Sequence, residues 1–209
     1  LQGWSAYCAA STSRQAWRTG PQSVRRSCVF NDMNARRTGP GSNLPSLRLH
    51  LFGASKLSAN GVDTGLALKR GFALLAYLAH ARRPIPRGHL ASLLWSDVDE
   101  SVGRARLRRL VYRVESAAGK DLIVAVGDNV DLEPGRLTVD SLEFAELAQD
   151  LVASEPSAPS TSTDSVDAWV AVASRPLLQD LDSLPEAFEE WRRERQVDYD
   201  QLLARLLRH

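Results

Sequence analysis

Residues 89–114, HLASLLWSDVDESVGRARLRRLVYRV, decide the fold of this chain. The apolar run at the start of this stretch predicts a helix, and Pro86 lies near its beginning, where a missing N–H is tolerated. A polar loop follows, in which Ser101 is a suitable N-cap for a second helix that runs to about Ala118. Gly119 then lies just past the end of that helix. The stretch therefore predicts two helices joined by a polar turn.

The second helix has one apolar stripe and one strongly basic face. About a third of its circumference is apolar and must face a core. That stripe consists of Leu107, Leu110, Val111, Val114 and Ala118. Segment 101–114 also contains five arginines and no acidic residue. Arg104 lies at the border of the stripe, within reach of either a phosphate or a neighbouring carboxylate.

The basic face is either a solvated helix surface or a surface that binds an anionic partner. Solvated faces usually interleave both signs, whereas Arg104–Arg108 and Arg109–Arg113 are like-charge pairs four residues apart. Each such pair costs about 0.2–0.5 kcal/mol. Guanidinium groups fork onto phosphate or guanine, and an α-helix fits the major groove of duplex DNA. Because the major groove of A-form RNA is closed to helices, the pattern favours duplex DNA.

Predicted strands flank this pair of helices. LRLHLFG (47–53) alternates with a period of two, and Asn60-Gly61 predicts a hairpin turn. The apolar positions of residues 68–83 then share one helical face. After the basic helix, LIVAVGDNVDLEP (122–134) predicts two short strands around Gly127-Asp128-Asn129. This last hairpin has the position of a wing beside the helix pair.

The chain beyond Asp140 is predicted to be helical and acidic. We expect helices at 141–153 and 166–178, separated by a mobile Ser/Pro/Thr-rich loop at 154–165. The final segment predicts one long amphipathic helix. Its stripe consists of Phe188, Trp191, Arg195, Tyr199, Leu202 and Leu206. Such a stripe needs a surface to pack on.

The net charge of +1 hides an uneven distribution. Residues 68–120 hold eleven Lys and Arg against four Asp and Glu, whereas residues 140–209 hold six Arg against fifteen Asp and Glu. This asymmetry favours a basic binding module joined to an acidic helical one. No apolar run reaches the ~18 residues of a membrane span. Because the chain has no phosphate loop, nucleophile elbow or paired-histidine metal motif, we expect neither an enzyme nor a cofactor or metal.

Residues 1–46 lack hydrophobic periodicity and are rich in Ser, Arg, Gly, Pro and Asn, which predicts disorder. The chain begins with Leu1, and its single methionine is Met33. We therefore expect residues 1–32 to be a tag, upstream translation or a misplaced start, with a genuine arm as the alternative. The two cysteines of this segment are expected to be incidental thiols in a reducing cytosol.

Together these segments resemble the N-terminal region of the SARP-type transcriptional activators of actinobacteria. The resemblance is carried by FALLAYLAHARRPIPRGHLASLLW, SVGRARLRRLVYRVESAAG, LTVDSLEF and RPLLQDLDSLPEAFEEWRRERQVDYDQLLARLL. It implies an α+β, OmpR-type winged helix-turn-helix at 47–138, with an antiparallel sheet, three helices and a C-terminal hairpin wing. It also implies an all-α, truncated TPR-like part of a bacterial transcriptional activator domain at 139–209.

The resemblance further implies a DNA-binding site on the helix at 101–118. Its predicted DNA-binding residues are Arg104, Arg106, Arg108, Arg109, Tyr112 and Arg113, with Asn129 in the wing. Arg109 and Arg113 are expected at base edges, and the other three arginines at phosphates. The expected protein is a cytoplasmic, nucleoid-associated activator that binds double-stranded DNA at promoter direct repeats as a homodimer and recruits RNA polymerase, without a membrane partner. We expect Trp95 in the core and His89 on a helix surface.

Three features depart from the family pattern. Pro86-Arg87-Gly88 replaces the usual polar cap, and the wing carries Asp128 and Asp131 with no basic residue before Arg136. The helical domain is also short, so its apolar stripe should need cover from a second copy or from further sequence. The alternatives are a protein-interaction module, an N-terminal fragment of a larger multidomain regulator with little independent DNA activity, or a truncated, nonfunctional product.

Overall fold

The computed structural model describes residues 46–153 and 163–208. These residues belong to one compact unit, Asn43–His209. The predictions of disorder for 1–46 and of mobility for 154–165 lie almost wholly outside the described residues. Within the described ranges, no helix combines the length and the apolar character that a membrane crossing requires.

The described part of the chain begins with the predicted antiparallel strands, β1 (Leu47–His50), β2 (Lys56–Ala59) and β3 (Val62–Asp63). Asn60 and Gly61 form the turn between β2 and β3, and both have positive φ, 51° and 83°. Two consecutive residues in this conformation are what a tight hairpin turn of the primed type requires. The hairpin prediction is therefore confirmed.

The first sheet contains a fourth strand that the sequence did not reveal. Strand β7 (Leu137–Val139) pairs in parallel with β1, so the strand order is β3-β2-β1-β7. The expectation of a purely antiparallel sheet is corrected to a mixed one. A three-residue strand is too short to show a period of two, and a parallel partner gives no hairpin signal.

Three helices follow, as expected: α1 (Lys69–Ala81), α2 (Arg87–Leu94) and α3 (Glu100–Ala118). Helix α3 begins one residue before the predicted cap, Ser101, and its flanking residue Asp99 makes no side-chain capping hydrogen bond. Its end at Ala118, with Gly119 next, agrees with the prediction.

The predicted wing hairpin consists of β5 (Ile123–Val126) and β6 (Asn129–Leu132). Strand β6 also pairs with the two-residue strand β4 (Ile85–Pro86), which gives the order β4-β6-β5. Because β4 lies at an edge, Pro86 is tolerated there without an amide hydrogen. Strand β4 thus ties the wing to the start of α2.

The second part of the chain contains α4 (Asp140–Ala153), α5 (Thr163–Ala173) and α6 (Glu186–Leu206). Helix α5 begins three residues earlier and ends five residues earlier than its predicted range of 166–178. The segment after it runs beside the end of β1, where the N–H of Leu178 donates to the carbonyl of Leu51 at 2.7 Å. Gly53 and Pro176 make a similar backbone bond of 2.8 Å.

The apolar stripe of α6 is covered by the same chain. Phe188, Tyr199 and Leu206 are buried, and α6 packs on both α4 and α2. The Tyr199 ring lies 5.3 Å from that of Phe52 and 6.4 Å from that of Phe144, measured between centroids. The expectation that this stripe needs a second copy or further sequence is therefore wrong.

A buried carboxylate joins the two parts of the chain at the start of α4. Asp140 is 2% exposed, and its carboxylate accepts hydrogen bonds from the backbone N–H groups of Leu51, Phe52 and Ser141 at 2.9, 3.3 and 2.7 Å. Burial raises the pKa of Asp140, and these backbone donors oppose the rise. With Phe144 fully buried one turn later, this contact explains the VD-x-x-x-F pattern of residues 139–144.

Candidate nucleic-acid interface

Helix α3 is held against the core by its predicted apolar stripe. Leu107, Leu110, Val114 and Ala118 are buried, and Val111 packs against the core at its edge. Gly103 permits a close approach to α2, because a Cβ placed there would lie 3.1 Å from the Cβ of Ala91. The stripe and this contact fix which face of α3 points outward.

The outward face carries most of the predicted DNA-binding side chains. Those that are exposed are Arg106, Arg108, Arg109, Tyr112 and Arg113. Tyr112 is 73% exposed. Among the described residues, none of these five side chains has a hydrogen-bond or ion-pair partner. Exposed arginines that pair with no acid among the described residues keep their full charge for an anionic ligand.

Arg104 lies in a different environment from the other four arginines. Its Nε donates to Glu100 at 2.8 Å, and its two terminal nitrogens donate to the Asp128 carboxylate at 2.8–3.2 Å. The hydrogen bonds to Asp128 and Glu100 raise the pKa of Arg104. The structure thus places Arg104 against carboxylates, one of the two positions that the sequence left open.

The predicted wing residue Asn129 is the first residue of β6 and is partly exposed. It follows a turn formed by Gly127 and Asp128, where Gly127 has a φ of 62°. Val126, on the other side of the turn, is 50% exposed. The wing turn therefore presents one amide and one apolar side chain beside α3, without a basic residue.

An open cleft of about 490 Å³ lies where the wing turn meets α3 and the start of α2. Its lining consists of Arg87, Arg104, Arg108, Val111, Tyr112, Glu115 and Asp128. Arg87, the first residue of α2, lies in this cleft but outside the predicted set of DNA-binding residues. The sequence signal for it is a basic residue that directly follows Pro86 at the start of a helix.

Trp95 and His89 occupy the positions expected for them. Trp95 is buried at 7% exposure, and the guanidinium of Arg70 lies 5.7 Å from its ring centroid. His89 is exposed on α2, and its Nε2 lies 2.8 Å from the hydroxyl of Tyr77. In the described part of the chain, no three His, Cys, Asp or Glu side chains are grouped as metal ligands.

Comparison with known proteins rests on structure alone. No protein-family model matches the chain, and no curated protein matches it in sequence. Among solved structures, it is similar to Mycobacterium tuberculosis EmbR in complex with low affinity phosphopeptide, with a TM-score of 0.57 and 19% sequence identity. The match covers 76% of this chain and 44% of the EmbR chain, so this chain spans less than half the length of that protein. At this identity the likeness concerns the fold alone, which is here a set of short strands, three helices and a hairpin followed by a helical region.

Proposed function

We propose that this chain is a sequence-specific DNA-binding transcriptional regulator, an activator that places α3 in the major groove of promoter direct repeats. The observation that carries the proposal is the outward face of α3. It presents four arginines and one tyrosine without partners among the described residues, next to a hairpin wing. The SARP-like fold supports the same function, because the resemblance of residues 47–209 is to activators of that type.

Two arginines are assigned to base edges. Arg109 and Arg113 point away from the buried stripe, and an arginine that reaches a guanine edge forms two parallel hydrogen bonds to O6 and N7. Each good pair of this kind discriminates against a wrong base by about 1–3 kcal/mol. Arg106 and Arg108 are assigned to phosphates, which fix the position of the helix without reading sequence. Asn129 is assigned to the backbone or minor groove beside the wing.

The helical region is proposed to contact RNA polymerase and to support a dimer on DNA. It packs directly on the winged helix, since the Trp191 ring lies 5.3 Å from that of Tyr77 and 5.4 Å from that of His80. A partner bound to α6 would therefore be held in a set position relative to the bound DNA. The acidic charge of residues 140–209 keeps this region away from phosphate and leaves it open to a basic partner.

Selection of bound sequences from random duplex DNA with the full chain tests the proposal. We expect one enriched motif, with binding that weakens steeply as salt rises, because each phosphate contact releases counterions. Arg205→Ala is the control and should select the same motif with the same salt dependence. Arg205 is an exposed arginine on α6, in the acidic helical region rather than on α3. Absence of duplex binding at low salt would contradict the proposal and favour a protein-interaction module.

A further inference from the structure

The wing turn is held at two points by the helix pair. The backbone carbonyl of Asp128 accepts a hydrogen bond from the N–H of Arg87 at 3.1 Å, and the Asp128 carboxylate accepts three from the Arg104 guanidinium. Arg87 begins α2, Arg104 lies in the first turns of α3, and Asp128 is at the tip of the wing. One residue of the turn therefore links all three elements of the candidate interface.

The same junction is closely packed around Gly88. A Cβ added at Gly88 would lie 3.0 Å from Oε1 of Glu100 and 3.3 Å from Nη2 of Arg104. Glu100 in turn accepts a hydrogen bond from Nε of Arg104 at 2.8 Å. The unusual Pro86-Arg87-Gly88 segment thus leaves room for a guanidinium with carboxylates on two sides.

This environment does not suit a phosphate contact. Arg104 offers donors from all three guanidinium nitrogens to Glu100 and Asp128, and the three side chains together carry a charge of −1. A phosphate at this position would have to displace a carboxylate from Arg104. The other four arginines of α3 have no carboxylate partner among the described residues.

We propose that Arg104 is a positioning residue, which fixes the wing turn against α3 by holding Asp128, and that it does not contact DNA. Its effect on DNA recognition rests on the proposed function, in which α3 and the wing bind one duplex. The fork geometry matters here, because a bidentate pair fixes orientation as well as distance, which a lysine ammonium does not. A fixed turn keeps the side chains of Val126 and Asn129 in a constant position relative to the DNA groove.

Amide hydrogen exchange of the free protein tests the anchoring without DNA. We expect exchange at residues 126–130 to be severalfold faster in Arg104→Met and in Asp128→Asn than in the wild type, while the core of α1 is unchanged. Arg104→Lys should show the same faster exchange, since it keeps the positive charge but loses the bidentate guanidinium geometry. Arg108→Met, one turn along α3, is the control and should leave the wing unchanged. Wild-type exchange in both Arg104 variants would overturn the proposal.

The affinity for DNA distinguishes a positioning role of Arg104 from a phosphate contact. The two roles predict opposite changes in affinity when Asp128 is replaced by Asn. Removing the negative charge of Asp128 should tighten binding to DNA if only charge matters. The proposal instead expects Asp128→Asn to bind the selected site about tenfold more weakly, and the double variant with Arg104→Met to be no worse than either single one. The salt slope should stay at its wild-type value in Arg104→Met, whereas loss of a phosphate contact lowers it by about 0.9.

Tighter binding by Asp128→Asn, together with a lower salt slope in Arg104→Met, would show that Arg104 contacts phosphate and would overturn the proposal. If the wild type binds no duplex, the proposed function fails instead. The exchange measurement would then still decide whether Arg104 anchors the wing.

Discussion

The hydroxyl of Tyr199 on α6 donates a 2.8 Å hydrogen bond to Nε2 of His80 on α1. The other ring nitrogen of His80 donates to the carbonyl of Ala76 at 2.7 Å. Burial lowers the pKa of His80 to about 4, so the ring is neutral at pH 7 with its proton on Nδ1. This one side chain therefore joins α1 to α6, and only its neutral form can accept from Tyr199.

The His80 contact predicts a loss of stability in mild acid. The unfolded histidine has an ordinary pKa of about 6.5, so between pH 6.5 and 4 the unfolded chain binds a proton that the folded chain does not. The free energy of unfolding should therefore fall as the pH drops through this window, by up to about 3 kcal/mol. Urea unfolding at pH 7, 6, 5 and 4.5 measures this change.

His80→Gln is the control for that measurement, since an amide can still accept from Tyr199 but does not titrate. Its unfolding free energy should change less between pH 6.5 and 4 than that of the wild type. Burial also lowers the pKa of His89, so this residue should contribute a smaller pH dependence of the unfolding free energy in both proteins. Equal slopes in the two proteins would show that His80 is not buried in its neutral form.

Asp140→Asn should destabilise the fold by about 1–3 kcal/mol, because the new NH2 group would face backbone donors. Asn can keep one acceptor oxygen, but the Asp140 carboxylate now serves the N–H groups of Leu51, Phe52 and Ser141. Chemical denaturation at pH 7 measures the loss, and exposed Asp167→Asn is the matched control. If both variants unfold at the same denaturant concentration, the junction does not depend on this carboxylate.

Gly103→Leu should separate α2 from α3 and cost about 1–3 kcal/mol, because the added side chain meets Ala91 in a packed contact. Val102→Leu adds a methylene at the neighbouring position, which is 43% exposed, and should be near neutral. Thermal unfolding compares the two variants. A neutral Gly103→Leu would mean that the two helices are not in close contact.

Local patterns predicted the elements whose signal lies within one segment. The stripe from Leu107 to Ala118 followed from the helical period, and the Asn60-Gly61 turn followed from the backbone conformation that those residues accept. Both depend on short-range chemistry, so neither needed knowledge of the rest of the chain. The outward position of the α3 arginines followed from the same helical period.

Contacts between distant segments were not predictable in the same way. Strand β7 pairs with β1 across 90 residues (Leu47 with Leu137), and Arg104 meets Asp128 across 24. A three-residue strand has no period, and a charge pair of this separation is set by how the wing packs. The cover of the α6 stripe was also missed, because its partners Phe52 and Phe144 lie in two different predicted elements.

The most direct test of a DNA-reading α3 compares Arg109→Ala with Arg108→Ala. Dissociation constants would be measured for the full chain on its selected duplex and on a shuffled one, across several salt concentrations. We expect Arg109→Ala to lose about 1–3 kcal/mol on the selected duplex and little on the shuffled one, and Arg108→Ala to weaken both equally and lower the salt slope by about 1. Wild-type affinities and slopes in both variants would contradict the assignment of α3 as the DNA-reading helix.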